Sequence, residues 1–163
     1  MIAGADTPTT SELAQDQSAR FVHLYEHEHA IQVRRAALLV GDVEAAHDIV
    51  HDAFVDVFRR WSSIEDAGPY LGRAVLNGCR DHGRRIATRL RRAPLLVERG
   101  TDPVDEPMWD AIHHLPFRQR AVVVLKFYGQ LTEKEIASLL DCPTGSVGPW
   151  LRRGLDTLRK ELE

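Results

Sequence analysis

The sequence predicts an all-α fold of two small helical domains joined by a flexible linker, the second ending in a helix-turn-helix. Apolar residues recur every three or four positions over most of the 163 residues, and no segment alternates as a strand would. Three prolines and a glycine interrupt residues 93–107. The expected organisation is a disordered tail at 1–17, a first domain at 18–92, the linker at 93–107 and a second domain at 108–163.

Three helices are expected in the first domain. The first begins near Ser18 and ends at Gly41, after which Asp42 is a candidate N-cap for the second. The second helix has the most regular apolar period of the chain, which predicts one buried face: Ala46, Ile49, Val50, Ala53, Phe54, Val57, Phe58 and Trp61. A third helix follows the polar loop 62–69 and runs to Arg92, with inward positions at Leu71, Ala74, Val75, Cys79 and Ile86.

The second domain is predicted to contain four helices. Two short ones, at 108–115 and 117–128, are separated by Pro116. Thr132 and Glu135 then have the spacing of a capping box, and the segment 141–145 breaks the helix that they begin. In the last helix one face carries Val147, Leu151, Leu155, Leu158 and Leu162. Helix, short turn and a longer helix with arginines outside its apolar stripe indicate a DNA-binding helix-turn-helix, with an ordinary αα-hairpin as the alternative.

The distribution of charge predicts separate surfaces for separate partners. The net charge is only −3, but residues 42–66 hold seven acids and two arginines, whereas 73–92 hold seven arginines and one aspartate. Such an arginine helix can neutralise phosphates, and Trp61 and Tyr70, which flank the preceding loop, can stack on unpaired bases. Without a signal peptide or a long apolar segment, the chain is predicted to be cytoplasmic, with no membrane insertion.

A metal site is the main alternative for the second helix. His47 and His51 lie one turn apart, as in zinc-binding helices, and with their neighbouring aspartates they form two His-Asp dyads like those of metal phosphohydrolases. No third ligand lies at a recognisable distance, and both histidines fall on the solvated face. Cys79 and Cys142 match no metal spacing. We therefore predict no metal and no cofactor.

Three segments, in order, resemble the extracytoplasmic-function sigma factors of the sigma-70 superfamily. AAHDIVHDAFVDVFRRW (45–61) is similar to the family's polymerase-clamp-binding helix, with Asp48, Asp52 and Phe54 at matching positions. YLGRAVLNGCRDHGRR (70–85) is similar to the promoter-melting and minus-ten-reading helix. LPFRQRAVVVLKFYGQLTEKEIASLL (115–140) is the most specific match and corresponds to the start of region four.

The resemblance implies a transcription initiation factor without catalysis of its own. Core RNA polymerase would be its main partner, contacted at the β′ clamp helices and the β flap, and promoter DNA its second; an anti-sigma factor is a further candidate. The implied polymerase-binding residues are Asp48, His51, Asp52, Asp56 and Arg59. The implied DNA-binding residues are Trp61, Tyr70, Arg73, Asn77, Arg80, Arg84, Arg85, Thr132, Ser146, Arg152, Arg153 and Lys160.

The chain departs from the family at the start of the last helix, where Ser146-Val147-Gly148-Pro149-Trp150 replaces the usual Thr-Val-Lys-Ser-Arg. This removes two cations, so base readout is expected mainly from Arg153, with Arg152 and Ser146 beside it. Two other functions stay open at this point. A conventional helix-turn-helix regulator would bind DNA without polymerase, and a His-Asp phosphohydrolase would contain bound metal.

Overall fold

The computed structural model describes residues 10–92 and 106–163, and these two ranges are helical with no strand. The N-terminal half (10–92) contains α1 (Thr10–Val40), α2 (Val43–Arg59) and α3 (Ala67–Arg92), with a short 3₁₀ turn at Trp61–Ser63. The C-terminal half (106–163) contains α4 (Glu106–His114), α5 (Phe117–Val123), α6 (Glu133–Leu140) and α7 (Thr144–Leu162). Between α5 and α6, Val124–Tyr128 form a π-helical turn.

The first helix is longer than predicted, because α1 begins at Thr10 rather than near Ser18. Residues 10–17 were expected to be disordered because they lack apolar periodicity. They are nevertheless rich in helix formers such as Glu, Leu, Ala and Gln, and residues 14–20 form an exposed helical extension. Residues 1–9 and 93–105, which carry the rest of the predicted tail and most of the predicted linker, lie outside the described residues.

The junction between α1 and α2 has the predicted form. Gly41 adopts a φ of +77°, and Asp42 caps α2 by accepting a 3.0 Å hydrogen bond at Oδ1 from the amide of Ala45. Of the predicted apolar face of α2, five residues are buried: Ala46, Val50, Ala53, Phe54 and Val57. Phe58 is a correction, since it is 63% exposed and its ring lies 5.1 Å from that of Phe21 at the surface.

Packing of α2 against α3 depends on a glycine. A Cβ atom at Gly78 would lie 2.7 Å from Cγ2 of Ile49, so only glycine allows the two helices to approach this closely. Leu71, Val75 and Cys79 are buried in α3 as predicted, and Ala74 and Ile86 are half-buried. Burial raises the pKa of the Cys79 thiol to about 12, so this cysteine is not a reactive thiolate.

The helix-turn-helix is formed by α6 and α7. The capping box is present: the amide of Glu135 donates to Oγ1 of Thr132 (3.3 Å), and the amide of Thr132 donates to Oε2 of Glu135 (2.8 Å). The turn passes through Asp141 in a left-handed conformation (φ 49°), and α7 then continues through Pro149. The apolar stripe of α7 was predicted too broadly, because Leu155 and Leu162 are exposed. Gly154 is buried instead, and a Cβ there would lie 3.0 Å from Val123.

The two halves pack against each other around one continuous hydrophobic core. Buried residues of α1–α3 and of α5–α7 belong to the same cluster, among them Leu39, Leu71, Val122, Ile136 and Val147. A smaller cluster under α4 and α7 contains Ala111, Leu115, Val123 and Leu158. The predicted helices of both halves form, although α1 begins earlier than predicted, and the two halves share their largest hydrophobic core.

Candidate nucleic-acid and protein interfaces

The outer face of α2 carries the charged side chains that were predicted to bind a protein. Asp48, His51, Asp52 and Arg59 are exposed, and Asp56 is half-buried. Residues three and four apart lie on one side of a helix, so these five form a single surface opposite the buried face of α2. Because the inner face is packed into the core, the orientation of the outer one is set by the fold. We call these five residues the acidic face.

Asp56 connects this acidic face to the predicted DNA surface. The hydroxyl of Tyr70, at the start of α3, donates a 2.6 Å hydrogen bond to Oδ2 of Asp56. Nε of Arg60 donates a 2.9 Å bond to Oδ1 of the same carboxylate. The hydrogen bond from Tyr70 lowers the pKa of Asp56, and the same bond raises the pKa of Tyr70. Asp56 and Tyr70 had been assigned to different partners, and the structure joins them.

The arginines of α3 form a stripe along one side of that helix. Arg73, Asn77, Arg80 and Arg84 are all exposed, and their steps of four, three and four residues keep them within about 60° on the helix. Nη2 of Arg80 donates a 2.9 Å hydrogen bond to Oδ1 of Asn77, and Arg84 forms an ion pair with Asp81. Arg85 is also exposed but lies about 100° around the helix from Arg84.

Part of this stripe faces the C-terminal half of the protein. A cavity of about 420 Å³ separates α3 from the end of α6, and α3 contributes Arg73, Leu76, Asn77 and Arg80 to it. The opposite wall is formed by Phe117 and residues 138–141. The helices are close here, since a Cβ at Gly72 would lie 3.0 Å from Cδ2 of Leu139. In this arrangement the cavity lies between the middle of the stripe and the end of α6.

The structure does not bring Trp61 and Tyr70 together. Trp61 packs edge-on against Phe21, with ring centroids 5.4 Å apart, and lines a cavity of about 720 Å³ beside α1. Tyr70 lines a different cavity of about 460 Å³, whose walls include Arg60, Arg73 and the loop residues 63–66. The two aromatic side chains that were predicted to stack on unpaired bases therefore line different cavities.

In the helix-turn-helix, most of the polar side chains of α7 that were predicted to bind DNA are exposed. Arg152, Arg153 and Lys160 are exposed, and Ser146 is half-buried. The glycine that replaces a family lysine lies next to an acid: a Cβ at Gly148 would be 3.9 Å from both carboxylate oxygens of Glu133. Thr132 is exposed, but its hydroxyl is engaged in the capping box, whose bonds lower the pKa of Glu135.

Arg120 is a structural residue that the pattern analysis missed. Its guanidinium donates hydrogen bonds to the carbonyl oxygens of Leu39 (2.5 Å), His113 (2.8 Å) and Leu115 (3.0 Å), and burial lowers its pKa. The available signal was its position, a cation directly before the five buried residues 121–125. A second missed contact is that of Arg118, whose guanidinium lies 4.9 Å above the ring of Trp150.

The histidines of α1 and α2 line up at the surface. The rings of His23 and His27 are 4.0 Å apart, and those of His29 and His47 are 6.0 Å apart. Among the described residues, no group of three or more His, Cys, Asp or Glu side chains comes together as a set of metal ligands. None of the described helices has a stretch that is long and apolar enough to cross a membrane.

Comparison with known proteins decides between the functions left open. Residues 105–158 match the family model for sigma-70, region 4. The RNA polymerase sigma-E factor of Streptomyces coelicolor is 33% identical over 141 residues, which cover 80% of this chain and 78% of that protein. This chain belongs to the extracytoplasmic-function sigma factors of the sigma-70 family. The sigma-E factor of Streptomyces antibioticus (32% identical; 85% of each chain) and the ECF sigma factor SigW of Bacillus subtilis (26%; 76% of this chain, 79% of SigW) are also similar.

Solved sigma factor structures share the all-helical fold. RpoE from Bartonella quintana, in complex with the anti-sigma factor NepR, superposes with a TM-score of 0.68 at 15% identity, covering 94% of this chain and 98% of that one. CnrH, in complex with the cytosolic domain of CnrY, also gives 0.68, at 22% identity and 91% and 93% coverage. The prediction of an all-α sigma factor with a region-four helix-turn-helix is confirmed.

Proposed function

We propose that this sigma factor binds core RNA polymerase and directs it to promoters in the cytoplasm, with no catalysis of its own. The observation that carries the proposal is the division of charge between two packed helices. The acidic face of α2 and the arginine stripe of α3 are held at fixed positions by one shared core. A protein that must hold polymerase and DNA at the same time needs two such surfaces of opposite sign.

The acidic face is the proposed contact for the β′ clamp helices of polymerase. Asp48, His51, Asp52 and Arg59 are exposed there, with Asp56 at the edge that borders α3. The β flap would be contacted by the C-terminal half. In a charged interface of this kind, complementary potentials speed association and set the orientation of the partner more than they add affinity.

The stripe of α3 is the proposed binding surface for the minus-ten element, with Arg73, Asn77, Arg80, Arg84 and Arg85 as its polar side chains. Tyr70 lies at the N-terminal end of this stripe and Trp61 lines the separate cavity beside α1; each would stack on a base exposed by melting. Because residues 138–141 of the C-terminal half line the cavity over Arg73 and Asn77, the halves must separate before a DNA strand can follow the stripe.

The helix α7 is the proposed reader of the minus-thirty-five element. Ser146, Arg152 and Arg153 lie in its first two-thirds, from which side chains of a recognition helix reach base edges, whereas Lys160 lies near its end and would meet phosphate. Thr132, exposed at the start of α6, is a proposed backbone contact. RpoE from Bartonella quintana was solved in complex with the anti-sigma factor NepR, so an anti-sigma factor is proposed as a further partner of this chain.

The proposal is tested by adding purified core polymerase to the full chain. We expect a stable complex in gel filtration and promoter-dependent transcription in a reconstituted reaction, and weak binding of duplex promoter by the chain alone. Failure to bind core polymerase would overturn the proposal. Tight binding to duplex DNA without polymerase would instead favour a conventional regulator.

A further inference from the structure

We infer that Asp56 is a positioning residue for promoter melting, which holds the Tyr70 side chain in place for the separated minus-ten strand. The inference rests on the proposed function, because it assigns a role within the minus-ten surface. It changes the expected role of Asp56 from an edge contact for polymerase to a link between the polymerase-facing helix and the DNA-facing one.

The geometry is that of a carboxylate with both oxygens occupied. Oδ2 of Asp56 accepts the hydroxyl of Tyr70 at 2.6 Å, and Oδ1 accepts Nε of Arg60 at 2.9 Å. The residues come from three successive pieces of chain: Asp56 from the last turn of α2, Arg60 from its C-cap, and Tyr70 from the first turn of α3. A single carboxylate thus ties the two ends of the loop between these helices together.

The hydrogen bond to Asp56 fixes the hydroxyl end of the Tyr70 side chain. Tyr70 lines a cavity of about 460 Å³ together with Arg60, Arg73, Glu65 and Asp66. An aromatic wall gives an unpaired base a surface on which to stack, and the guanidinium of Arg73 can meet a phosphate that flanks it. If the phenol could rotate freely, stacking would have to order it. The conformational entropy lost in that step would reduce the free energy gained from stacking.

The charges in the network fit this role. The pKa of Asp56 is lowered, chiefly by the bond from Tyr70, so it is an ionised acceptor at neutral pH. The pKa of Tyr70 is raised by the same bond, so the phenol remains a protonated donor. Arg60 pairs with the carboxylate and offsets its negative charge, which would otherwise repel the DNA backbone.

The test is a double-mutant cycle in the assembled holoenzyme. The variants are Asp56→Ala, Tyr70→Phe, which keeps the ring and removes only the hydroxyl, and the double variant. The readout is the rate of promoter opening at saturating core polymerase, followed by the fluorescence of 2-aminopurine in the minus-ten element. Core affinity and thermal stability are measured on the same proteins. Glu26→Ala, which removes an exposed carboxylate of α1 outside both surfaces, is the matched control.

Each single variant should slow opening about five- to tenfold, the loss expected for one intramolecular hydrogen bond of ordinary strength. The double variant should be no slower than either single one, because both remove the same bond. Tyr70→Phe should leave the affinity for core polymerase unchanged, and the Glu26→Ala control should change neither that affinity nor the rate of opening. Additive effects, or a Tyr70→Phe variant that opens promoters at the wild-type rate, would overturn the inference.

The failure of this inference can be told apart from failure of the proposed function. A wild-type chain that binds no core polymerase and supports no transcription would overturn the proposed function itself. A wild-type chain that transcribes normally, with Asp56→Ala losing only core affinity, would make Asp56 a simple polymerase contact and overturn only the positioning role.

Discussion

The guanidinium of Arg120 in α5 donates a 2.5 Å hydrogen bond to the carbonyl oxygen of Leu39, a residue at the end of α1 in the other half of the protein. The same side chain bonds to the carbonyls of His113 and Leu115, at the end of α4. These carbonyl groups lie at the ends of α1 and α4, and the last carbonyl groups of a helix have no hydrogen-bond donor within that helix. One arginine thus satisfies acceptors from two helix ends and joins the halves.

Replacing Arg120 with Met should lower the free energy of unfolding by about 2–4 kcal/mol, because partly buried carbonyl groups lose their donors. Arg120→Lys should cost less, since one ammonium can still reach at least one of them. Urea denaturation followed by circular dichroism measures both. Arg118→Met, which removes the neighbouring exposed arginine and its contact with Trp150, is the control and should cost about 1 kcal/mol or less. Equal losses for Arg118 and Arg120 would contradict this account.

Two glycines of α7 should respond in opposite ways to alanine. At Gly148 a Cβ meets nothing closer than 3.9 Å, so Gly148→Ala should stabilise the protein by about 0.5–1 kcal/mol through the lower entropy of the unfolded chain. At Gly154 a Cβ would lie 3.0 Å from Cγ2 of Val123, so Gly154→Ala should destabilise it by about 1–3 kcal/mol. Thermal melts of the two variants provide the comparison. A shift of the same sign in both would show that the packing of α5 on α7 is looser than described.

Cleavage between the halves should not by itself separate them. A protease is expected to cut first within the predicted linker, 93–107, on the basis of its prolines and glycine. The two fragments should then elute together in gel filtration, since they share a hydrophobic core and the Arg120 bonds. The same cut in Arg120→Met should release them more readily. Separate elution of the wild-type fragments would indicate that the contact between the halves is weak in solution.

Reversal of charge on α2 should weaken the binding of core polymerase. Asp48 and Asp52 are both exposed, so changing them together to Lys should leave the thermal stability within about 0.5 kcal/mol. The dissociation constant for core polymerase should rise about tenfold or more, with most of the effect at low salt. A fluorescence titration measures it, with Glu26→Lys as a control reversal on α1. Unchanged affinity in the double variant would remove the acidic face from the polymerase interface.

Arg153 and Lys160 should differ in what they contribute to promoter recognition. Arg153→Ala should reduce transcription and relax preference at one position of the minus-thirty-five element, at a cost of about 1–3 kcal/mol in discrimination. Lys160→Ala should weaken all promoters about equally, because a phosphate contact carries no sequence information. Transcription by reconstituted holoenzyme on a library randomised across the element distinguishes them. Identical sequence preferences for Arg153→Ala and wild type would show that another residue reads the base.

The helices themselves follow from the sequence. Asp42, the Thr132–Glu135 pair and Pro116 set helix ends through local chemistry that needs no tertiary contact, and each acts as predicted. The buried face of α2 likewise follows from its period, and the three family motifs were sufficient to predict a sigma factor. These features could be predicted from the sequence because they depend on residues only a few positions apart.

Only the tertiary structure decided how the pieces meet. Phe58 and Leu155 fit the apolar period of their own helices but are exposed, because that period does not record which positions the neighbouring helices cover. In the sequence Arg120 resembles a surface arginine, and only the fold brings the end of α1 next to it. Asp56 and Tyr70 were assigned to different partners, and the fold places their oxygens 2.6 Å apart although the residues are 14 positions apart in the sequence. Contacts between distant segments depend on the packing of whole helices, and that packing is a property of the complete core rather than of any local pattern.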